Sequence, residues 1–273
     1  MHKTLDVVAL GEAMLEFNQT EAGRPLYLQG FGGDTSNAVI AAARAGVRVA
    51  YLTRIGDDAF GTRLLELWAN EGVDTRAVER DPSASTGIYF VTHGAQGHEF
   101  SYLRAGSAAS CMTPDWLPTS AAAQVIASAQ WLHVSGISLA ISTSACDTVL
   151  AAMRLARAAG TSVAFDSNLR LKLWSLAQAR QAIPQAVALC DVFLPSLEDI
   201  TALTGLSEPD AVLDWGHALG AGDCFCGNLL ARMAAGDSVF EGARYANAAA
   251  ALAVQDYGAV APLPRPEAVR ALL

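Results

Sequence analysis

Short runs of β-branched and aliphatic residues alternate with longer alanine-rich stretches along most of the chain. The apolar runs predict buried strands, and the first of them, residues 7–12, ends in a glycine turn. Further strands are predicted at 47–52, 131–135, 162–166 and 191–194, and helices at 35–45, 60–71, 142–159, 176–189 and 224–235. This alternation predicts an α/β fold, with a doubly wound, mostly parallel sheet and helices on both of its faces.

One region breaks the alternation. Residues 87–92 and 99–104 have a period of two around a glycine-containing turn, which predicts a β-hairpin. Together with a strand at 26–29, the hairpin would form a small β-sheet that projects from the main domain. Such a sheet needs a cover for its apolar face, so we expect a lid, a subunit contact, or both. The predicted boundaries are 1–273 for a single domain and about 12–32 and 86–105 for the lid strands.

Composition narrows the class of protein. The 273 residues are 52% hydrophobic and 16% charged, which suits a substantial core. A formal net charge of −9 without a basic cluster argues against a nucleic-acid surface. No apolar run is long enough to cross a bilayer, and residues 1–6 lack the features of a secretory signal. Five cysteines without metal-like spacing favour a reducing compartment. We therefore expect a cytoplasmic protein that binds neither nucleic acid nor membrane.

A glycine-rich turn in the C-terminal part of the chain carries the clearest chemistry. Gly220, Ala221 and Gly222 precede a predicted helix. Backbone N–H groups in such a turn are open to a phosphate or a developing anion. Asp223, at the end of the turn, can accept a proton from a substrate hydroxyl. The combination indicates phosphoryl transfer, although the chain contains neither a P-loop nor a dinucleotide-binding fingerprint.

Two other segments follow predicted strands. Residues 30–37 (Gly-Phe-Gly-Gly-Asp-Thr-Ser-Asn) open a helix, and their glycines would let a ligand approach the backbone; a simple turn is the alternative. Residues 166–170 (Asp-Ser-Asn-Leu-Arg) come after a buried strand, where α/β folds bind ligands. Their alternative is a helix cap followed by a solvated arginine.

The predicted hairpin brings aromatic and basic side chains together. Tyr102 and Arg104 lie on the same side of one strand, and Tyr89 lies on its partner. A guanidinium group beside aromatic rings could hold a polar, anionic ligand. Ordinary cross-strand packing with an exposed arginine is the alternative.

Together these segments resemble the ribokinase-like (PfkB) family of carbohydrate kinases over nearly the whole chain. The N-terminal signature of that family is matched by residues 32–37 and 54–61, and its C-terminal signature by 220–223 and the helix after it. Residues 102–110 and 166–174 look like the 2-keto-3-deoxygluconate kinase branch. The resemblance implies an ATP-dependent sugar-acid kinase that phosphorylates 2-keto-3-deoxygluconate at its terminal hydroxyl.

The resemblance also implies roles for individual residues. Asp223 would be the catalytic base, and the anion hole would be formed by Gly220, Ala221 and Gly222. The sugar acid would contact Gly33, Asn37, Tyr89, Tyr102, Arg104 and Arg170. The nucleotide would contact Asn168, Ser196, Asn247, Gly258 and Ala259. Asp199 would take the acidic position associated with Mg²⁺, although most Mg²⁺ should arrive with ATP. Two arginines suit a carboxylate substrate.

The approach to the catalytic turn departs from the family. The family's Asp-Thr pair is absent, because Ala218 and Leu219 precede Gly220. A predicted helix at 208–219 runs directly into the turn, where the family has strands and a loop that shape the nucleotide site. Either a segment is missing from the sequence between Leu219 and Gly220, or the protein carries a deletion and is an impaired kinase. We favour the missing segment, because the residues downstream keep the family pattern.

Two other functions stay open at this point. A neutral-sugar kinase, such as a fructokinase or ribokinase, would have no need of Arg104 and Arg170 for a carboxylate. A catalytically silent sugar-binding or regulatory protein would explain the altered approach to Gly220. The resemblance further implies a homo-oligomer through the lid, because hairpin lids often become subunit interfaces in this family.

Overall fold

A six-stranded parallel sheet forms the centre of the molecule. The computed structural model describes residues 3–94, 97–206, 223–255 and 258–273. Its strands are β1 (Leu5–Leu10), β2 (Met14–Gln19), β3 (Tyr27–Gly32), β4 (Val49–Gly56), β5 (Asp74–Asp81), β6 (Ile88–Gly94), β7 (Gly97–Leu103), β8 (Ala129–Ser135), β9 (Ser162–Asp166) and β10 (Val192–Leu194). The central sheet has the order β10-β9-β8-β1-β4-β5, with every neighbouring pair parallel.

Helices cover both faces of this sheet. They are α1 (Asp34–Arg44), α2 (Ala59–Asn70), α3 (Trp116–Thr119), α4 (Ala122–Ala127), α5 (Gly136–Ala140), α6 (Thr143–Ala158), α7 (Leu176–Val187), α8 (Leu197–Thr204), α9 (Asp223–Ala234), α10 (Val239–Ala253) and α11 (Pro266–Leu272). Alternate residues of β1 enter different cores: Val8 packs with α4, α6 and α7, whereas Val7 packs with α1, α9 and α10. The predicted doubly wound α/β fold is therefore confirmed. None of the described helices is long and apolar enough to span a bilayer.

A second sheet, which we call the lid, has the order β3-β2-β6-β7. Strands β2 and β6 are parallel, and the two outer pairs are antiparallel. The predicted hairpin is present as β6 and β7. The sequence analysis did not identify β5, because five of the eight residues in Asp74–Asp81 are charged. A charged strand is tolerated there because β5 lies at the edge of the central sheet.

The connections between the two sheets place the lid over the carboxyl ends of the central strands. The chain leaves the carboxyl end of β1 to form β2 and β3, and it leaves β5 to form β6 and β7. The chain runs outward from β1 to β5 and then resumes at β8 on the other side of β1. This reversal makes a crevice beyond β1 and β8, which is where open α/β sheets bind ligands.

Candidate active site

The crevice lies between the lid and the carboxyl ends of three neighbouring strands, β9, β8 and β1. Adjacent strands lie about 4.8 Å apart, so the ends of β1 and β9 are separated by about 10 Å. Gly11 and Glu12 follow β1, and Ser167 and Asn168 follow β9. Polar groups from two strands and from the lid therefore converge on this crevice.

The aromatic face of the hairpin is formed as the sequence analysis expected. Tyr89 and Tyr102 are direct cross-strand partners, and their rings stack with centroids 5.6 Å apart. The Arg104 guanidinium carbon lies 5.8 Å from the centroid of the Tyr102 ring. The Tyr89 hydroxyl donates a hydrogen bond of 2.6 Å to Oε2 of Glu16. Three of the predicted sugar contacts thus share one face of the lid.

Arg104 is tied to the end of β1 by a contact that the sequence analysis missed. Its Nε donates to Oε2 of Glu12 at 2.7 Å, and its Nη2 pairs with the same carboxylate. Ser107 Oγ donates to the other oxygen of Glu12 at 2.5 Å. The available signal for Glu12 was an acidic residue directly after a buried strand. The sequence did not indicate its partner, because Arg104 lies 92 residues away.

The segments 30–37 and 166–170 also meet in the crevice. Asn168 Nδ2 donates to Oδ2 of Asp34 at 3.0 Å, and the Asn168 backbone N–H donates to Oδ1 of Asp166 at 3.1 Å. Asn168 has a φ of 29°, an uncommon value for a residue with a side chain. Asn37 is buried within α1, and Gly33 precedes that helix. The structure therefore brings the two predicted ligand-binding loops together.

Arg170 is exposed in the loop after β9. Its Nη1 donates to the backbone carbonyl of Leu169 at 3.0 Å, and it forms no ion pair with any residue in the described part of the chain. Because its charge is not neutralised by a carboxylate there, Arg170 is available to an anionic ligand.

Asp199 and Ser196 have structural contacts. Asp199 Oδ2 accepts hydrogen bonds from Ser167 Oγ at 2.5 Å and from the Leu169 N–H at 3.0 Å, which anchors the loop after β9. Ser196 caps α8 by accepting from the Asp199 N–H at 3.1 Å. Within the ranges that the structure describes, no group of three or more His, Cys, Asp or Glu side chains could hold a metal ion. The role of Asp199 in binding Mg²⁺ stays a prediction.

The other predicted nucleotide contacts lie elsewhere. Asn247 is exposed on α10. Gly258 and Ala259 line a cavity of about 580 Å³, together with β2, β3 and the C-terminal ends of α1 and α2. Asn168 and Ser196 do not line this cavity. The structure thus does not gather the five residues into it, and their common role in nucleotide binding stays a prediction.

The proposed catalytic turn lies outside the described residues, as do the junction between Leu219 and Gly220 and the predicted helix at 208–219. This covers Gly220, Ala221, Gly222 and the side chain of Asp223. The helix that begins at Asp223 is described. Cys226, in its first turn, places Sγ 3.7 Å from Oδ2 of Asp166. The N-terminal end of α9 therefore lies beside the carboxyl end of β9.

His133 is a buried polar residue that the sequence analysis did not select. It lies within β8 and is 2% exposed. Burial lowers its pKa to about 4, against the opposing influence of the Asp34 charge and the Ala164 carbonyl. The imidazole is therefore neutral at pH 7. The available signal was a histidine between a leucine and a valine in a predicted buried strand.

Comparison with known proteins identifies relatives of two substrate classes. The model for pfkB family carbohydrate kinases matches residues 4–219 and 218–266. A 2-dehydro-3-deoxygluconokinase of Thermoproteus tenax is 36% identical over 219 residues, which cover 76% of this chain and 64% of that enzyme. This chain thus spans less than two thirds of that relative's length. Fructokinase-1 of Zea mays is 31% identical over 310 aligned positions, covering 94% of each protein.

Solved structures match over the full length. The PfkB protein of Polaromonas sp. JS666 superposes with a TM-score of 0.89 at 28% identity, covering 99% of this chain and 100% of that one. An Escherichia coli protein assigned as a ribokinase II, solved in complex with ATP and Mg²⁺, has a TM-score of 0.89 at 22% identity, covering 100% and 99%. The second likeness establishes the shared fold.

Proposed function

Because the chain belongs to the pfkB family of carbohydrate kinases, we propose that it transfers a phosphoryl group from ATP to 2-keto-3-deoxygluconate. The product is 2-keto-3-deoxy-6-phosphogluconate. The observation that supports this choice of substrate is that two guanidinium groups belong to segments at the carboxyl ends of β1 and β9. Arg104 is held at the end of β1, and Arg170 follows β9 without a carboxylate partner in the described chain. Guanidinium groups bind carboxylates through charge-assisted, often bidentate hydrogen bonds.

The residues of the crevice divide the work of binding. Arg104 and Arg170 would hold the carboxylate, and the stacked rings of Tyr89 and Tyr102 would cover an apolar face of the substrate. Gly33, which precedes α1, and Asn37 within that helix would contact hydroxyl groups from the opposite side. Binding the carboxylate end in this way would direct the terminal hydroxyl toward the N-terminal end of α9.

The chemical step would take place at the start of α9. Asp223 would accept the proton of the substrate's terminal hydroxyl, and the hydroxyl oxygen would form a bond to the γ-phosphorus of ATP. The bond between the γ-phosphorus and the bridging oxygen would break, and ADP would leave. The backbone N–H groups of Gly220, Ala221 and Gly222 would stabilise the charge on the transferring group. Mg²⁺ would neutralise charge on the phosphates. It would be held mainly by those phosphates and water, which Mg²⁺ prefers as ligands.

ATP would be held by Asn168, Ser196, Asn247, Gly258 and Ala259. The support for ATP is family membership and the nucleotide found in the Escherichia coli protein of the same fold.

The Zea mays alignment favours a second candidate function, the phosphorylation of fructose, because it covers 94% of both chains. The pairing of Arg104 with Glu12 also bears on this candidate. Because Glu12 neutralises Arg104, Arg170 is the cation that is more available to a substrate carboxylate.

Initial rates with each sugar at saturating ATP test the assignment. We expect a higher kcat/KM for 2-keto-3-deoxygluconate than for fructose. Arg170→Ala should raise the KM for the sugar acid by about tenfold or more, the scale of one charge-assisted hydrogen bond, and should leave the KM for ATP unchanged. Lys172→Ala is the matched control, since it removes an exposed charge from the same loop. A preference for fructose would overturn the sugar-acid assignment, and any sugar-dependent ATP turnover would exclude a silent binding protein.

The lid offers a surface for a second copy of the chain. Leu28 on β3 and Leu103 on β7 are 67% and 63% exposed, and both belong to edge strands. These residues support a homo-oligomer through the lid, and a native mass of one chain in solution would contradict it.

A cytoplasmic location is part of the same proposal. Cys111, exposed and outside any disulfide, is compatible with a reducing compartment.

A further inference from the structure

Glu12 is a buried carboxylate at the junction between the central sheet and the lid. It comes just after β1, where the chain turns into β2, and its side chain is 1% exposed. The segment that returns from β7 carries Arg104 and Ser107 to the same place. The proposed phosphoryl transfer leaves Glu12 without a role. A charge so deeply buried is costly unless its partners hold it in place.

The carboxylate of Glu12 is fixed on both oxygens. Oε2 accepts from Arg104 Nε at 2.7 Å and also pairs with Nη2. Oε1 accepts from Ser107 Oγ at 2.5 Å. Gly87 closes the remaining side, because a Cβ at that position would lie 2.7 Å from Oε1. Glu12 is therefore a fixed partner rather than one that an incoming ligand would displace.

Arg104 is left with one open side. A guanidinium group carries five N–H donors in a rigid fork. Glu12 occupies the Nε and Nη2 side, the ring of Tyr102 lies at 5.8 Å, and the Arg104 side chain is 11% exposed. Nη1 donates to no residue in the described ranges. The donors on Nη1 are thus available to a ligand, while the rest of the group is held still.

We propose that Glu12 is a positioning residue, which fixes the Arg104 guanidinium so that its Nη1 side receives the carboxylate of a sugar acid. The proposal rests on the function proposed above. Its physical basis is that an arginine immobilised before binding loses less conformational entropy when the substrate arrives. Glu12 would thereby favour an acidic sugar over a neutral one, although it touches neither.

A competing role of Glu12 predicts the opposite change in the KM for the sugar acid. If Glu12 only neutralised Arg104, its removal would leave a stronger positive charge and would tighten the binding of a carboxylate. If Glu12 positions Arg104, its removal would weaken that binding. The sign of the change in KM therefore separates the two roles.

Steady-state kinetics of Glu12→Gln provides the test. We expect the KM for 2-keto-3-deoxygluconate to rise about tenfold, the scale of immobilising one long side chain, with kcat within about twofold and the KM for ATP unchanged. In an Arg104→Lys background, Glu12→Gln should change the KM by less than about twofold, because the group that Glu12 positions is gone. Glu66→Gln is the matched control: it removes a carboxylate from a surface pair with Arg63 in which both side chains are more than half exposed.

Each remaining outcome contradicts the positioning role. A lower or unchanged KM for the sugar acid overturns it, as does an effect of equal size in the Arg104→Lys background. If Glu12→Gln fails to fold, Ser107→Ala is the alternative variant, because it removes one hydrogen bond to the Glu12 carboxylate and keeps the ion pair with Arg104. We expect Ser107→Ala to raise the KM for the sugar acid about threefold. The absence of any increase overturns the proposal. A wild-type protein that does not phosphorylate 2-keto-3-deoxygluconate overturns the proposed function as well, whereas wild-type turnover with an unaffected Glu12→Gln overturns the positioning role alone.

Discussion

At position 33 the backbone itself requires glycine. Gly33 has a φ of 123°, and a Cβ there would lie 2.4 Å from the carbonyl oxygen of Glu12. The sequence analysis placed Gly33 in the sugar site by resemblance. The structure adds that the turn into α1 passes directly over the chain after β1, so Gly33 brings that helix to the crevice. The presence of glycine at position 33 therefore does not by itself distinguish a contact with the sugar from a requirement of the fold.

Asp223 is the residue on which the proposed chemistry depends. Asp223→Asn keeps the size of the side chain but removes its ability to accept a proton, so we expect kcat to fall by about 10²–10⁴-fold. Sugar binding, measured by calorimetry, should remain detectable. Asp147→Asn, in an exposed position on α6, is the control and should retain full activity. Retained turnover in Asp223→Asn would remove this residue from the role of base.

Among the helices, the close contact between α1 and α9 positions the helix that begins at Asp223. A Cβ on Gly227 would lie 2.1 Å from the backbone oxygen of Ala38. The two helices therefore approach each other more closely than any side chain would allow. Because α1 starts after Gly33 and α9 starts at Asp223, this contact influences the distance between the proposed sugar-binding turn and the start of α9.

Gly227→Ala should separate these helices. We expect a loss of about 1–3 kcal/mol in the free energy of unfolding, measured with urea, and a fall in kcat that exceeds the change in the KM for the sugar. The control is Gly242→Ala in α10, where the added Cβ would meet Cδ1 of Leu229 at 3.0 Å, the movable end of a side chain. Equal effects of the two substitutions on stability would contradict this explanation.

For the whole molecule, the comparisons bear on the junction before the catalytic turn. The family model matches the chain in two pieces that meet at residues 218–219. The alignment with fructokinase-1 of Zea mays runs over 310 positions, more than the 273 residues of the chain, so it contains gaps in this chain. The break in the family match shows that the chain departs from the family at this junction, as both a missing segment and a true deletion would require.

The intact mass of the purified protein tests the proposal of a missing segment between Leu219 and Gly220. We expect a mass clearly above 28.5 kDa, because the resemblance to the family implies additional strands and a loop at this place. A mass of 28.5 kDa would instead indicate a true deletion. In that case we expect the nucleotide site to be impaired, and sugar phosphorylation to be slow while sugar binding is retained.

Elements with a regular local pattern were predictable, and elements defined by distant partners were not. The hairpin of β6 and β7 was found because polar and apolar residues alternate around a turn. Strand β5 was missed because it is an edge strand with five charged residues among eight, two of them exposed arginines, and so lacks an apolar pattern. The parallel pairing of β2 with β6 could not be anticipated, since no short-range pattern encodes which distant strand becomes a neighbour.

The amino-acid sequence by itself determined the fold class and the shared face of Tyr89, Tyr102 and Arg104, because periodicity and strand register are local properties. The tertiary structure decided which side chains meet across the crevice. It joined Arg104 to Glu12, 92 residues away, and joined Asn168 to the start of α1, 134 residues away. Such contacts depend on strand order and on the attachment of the lid, which are set by the packing of the whole chain.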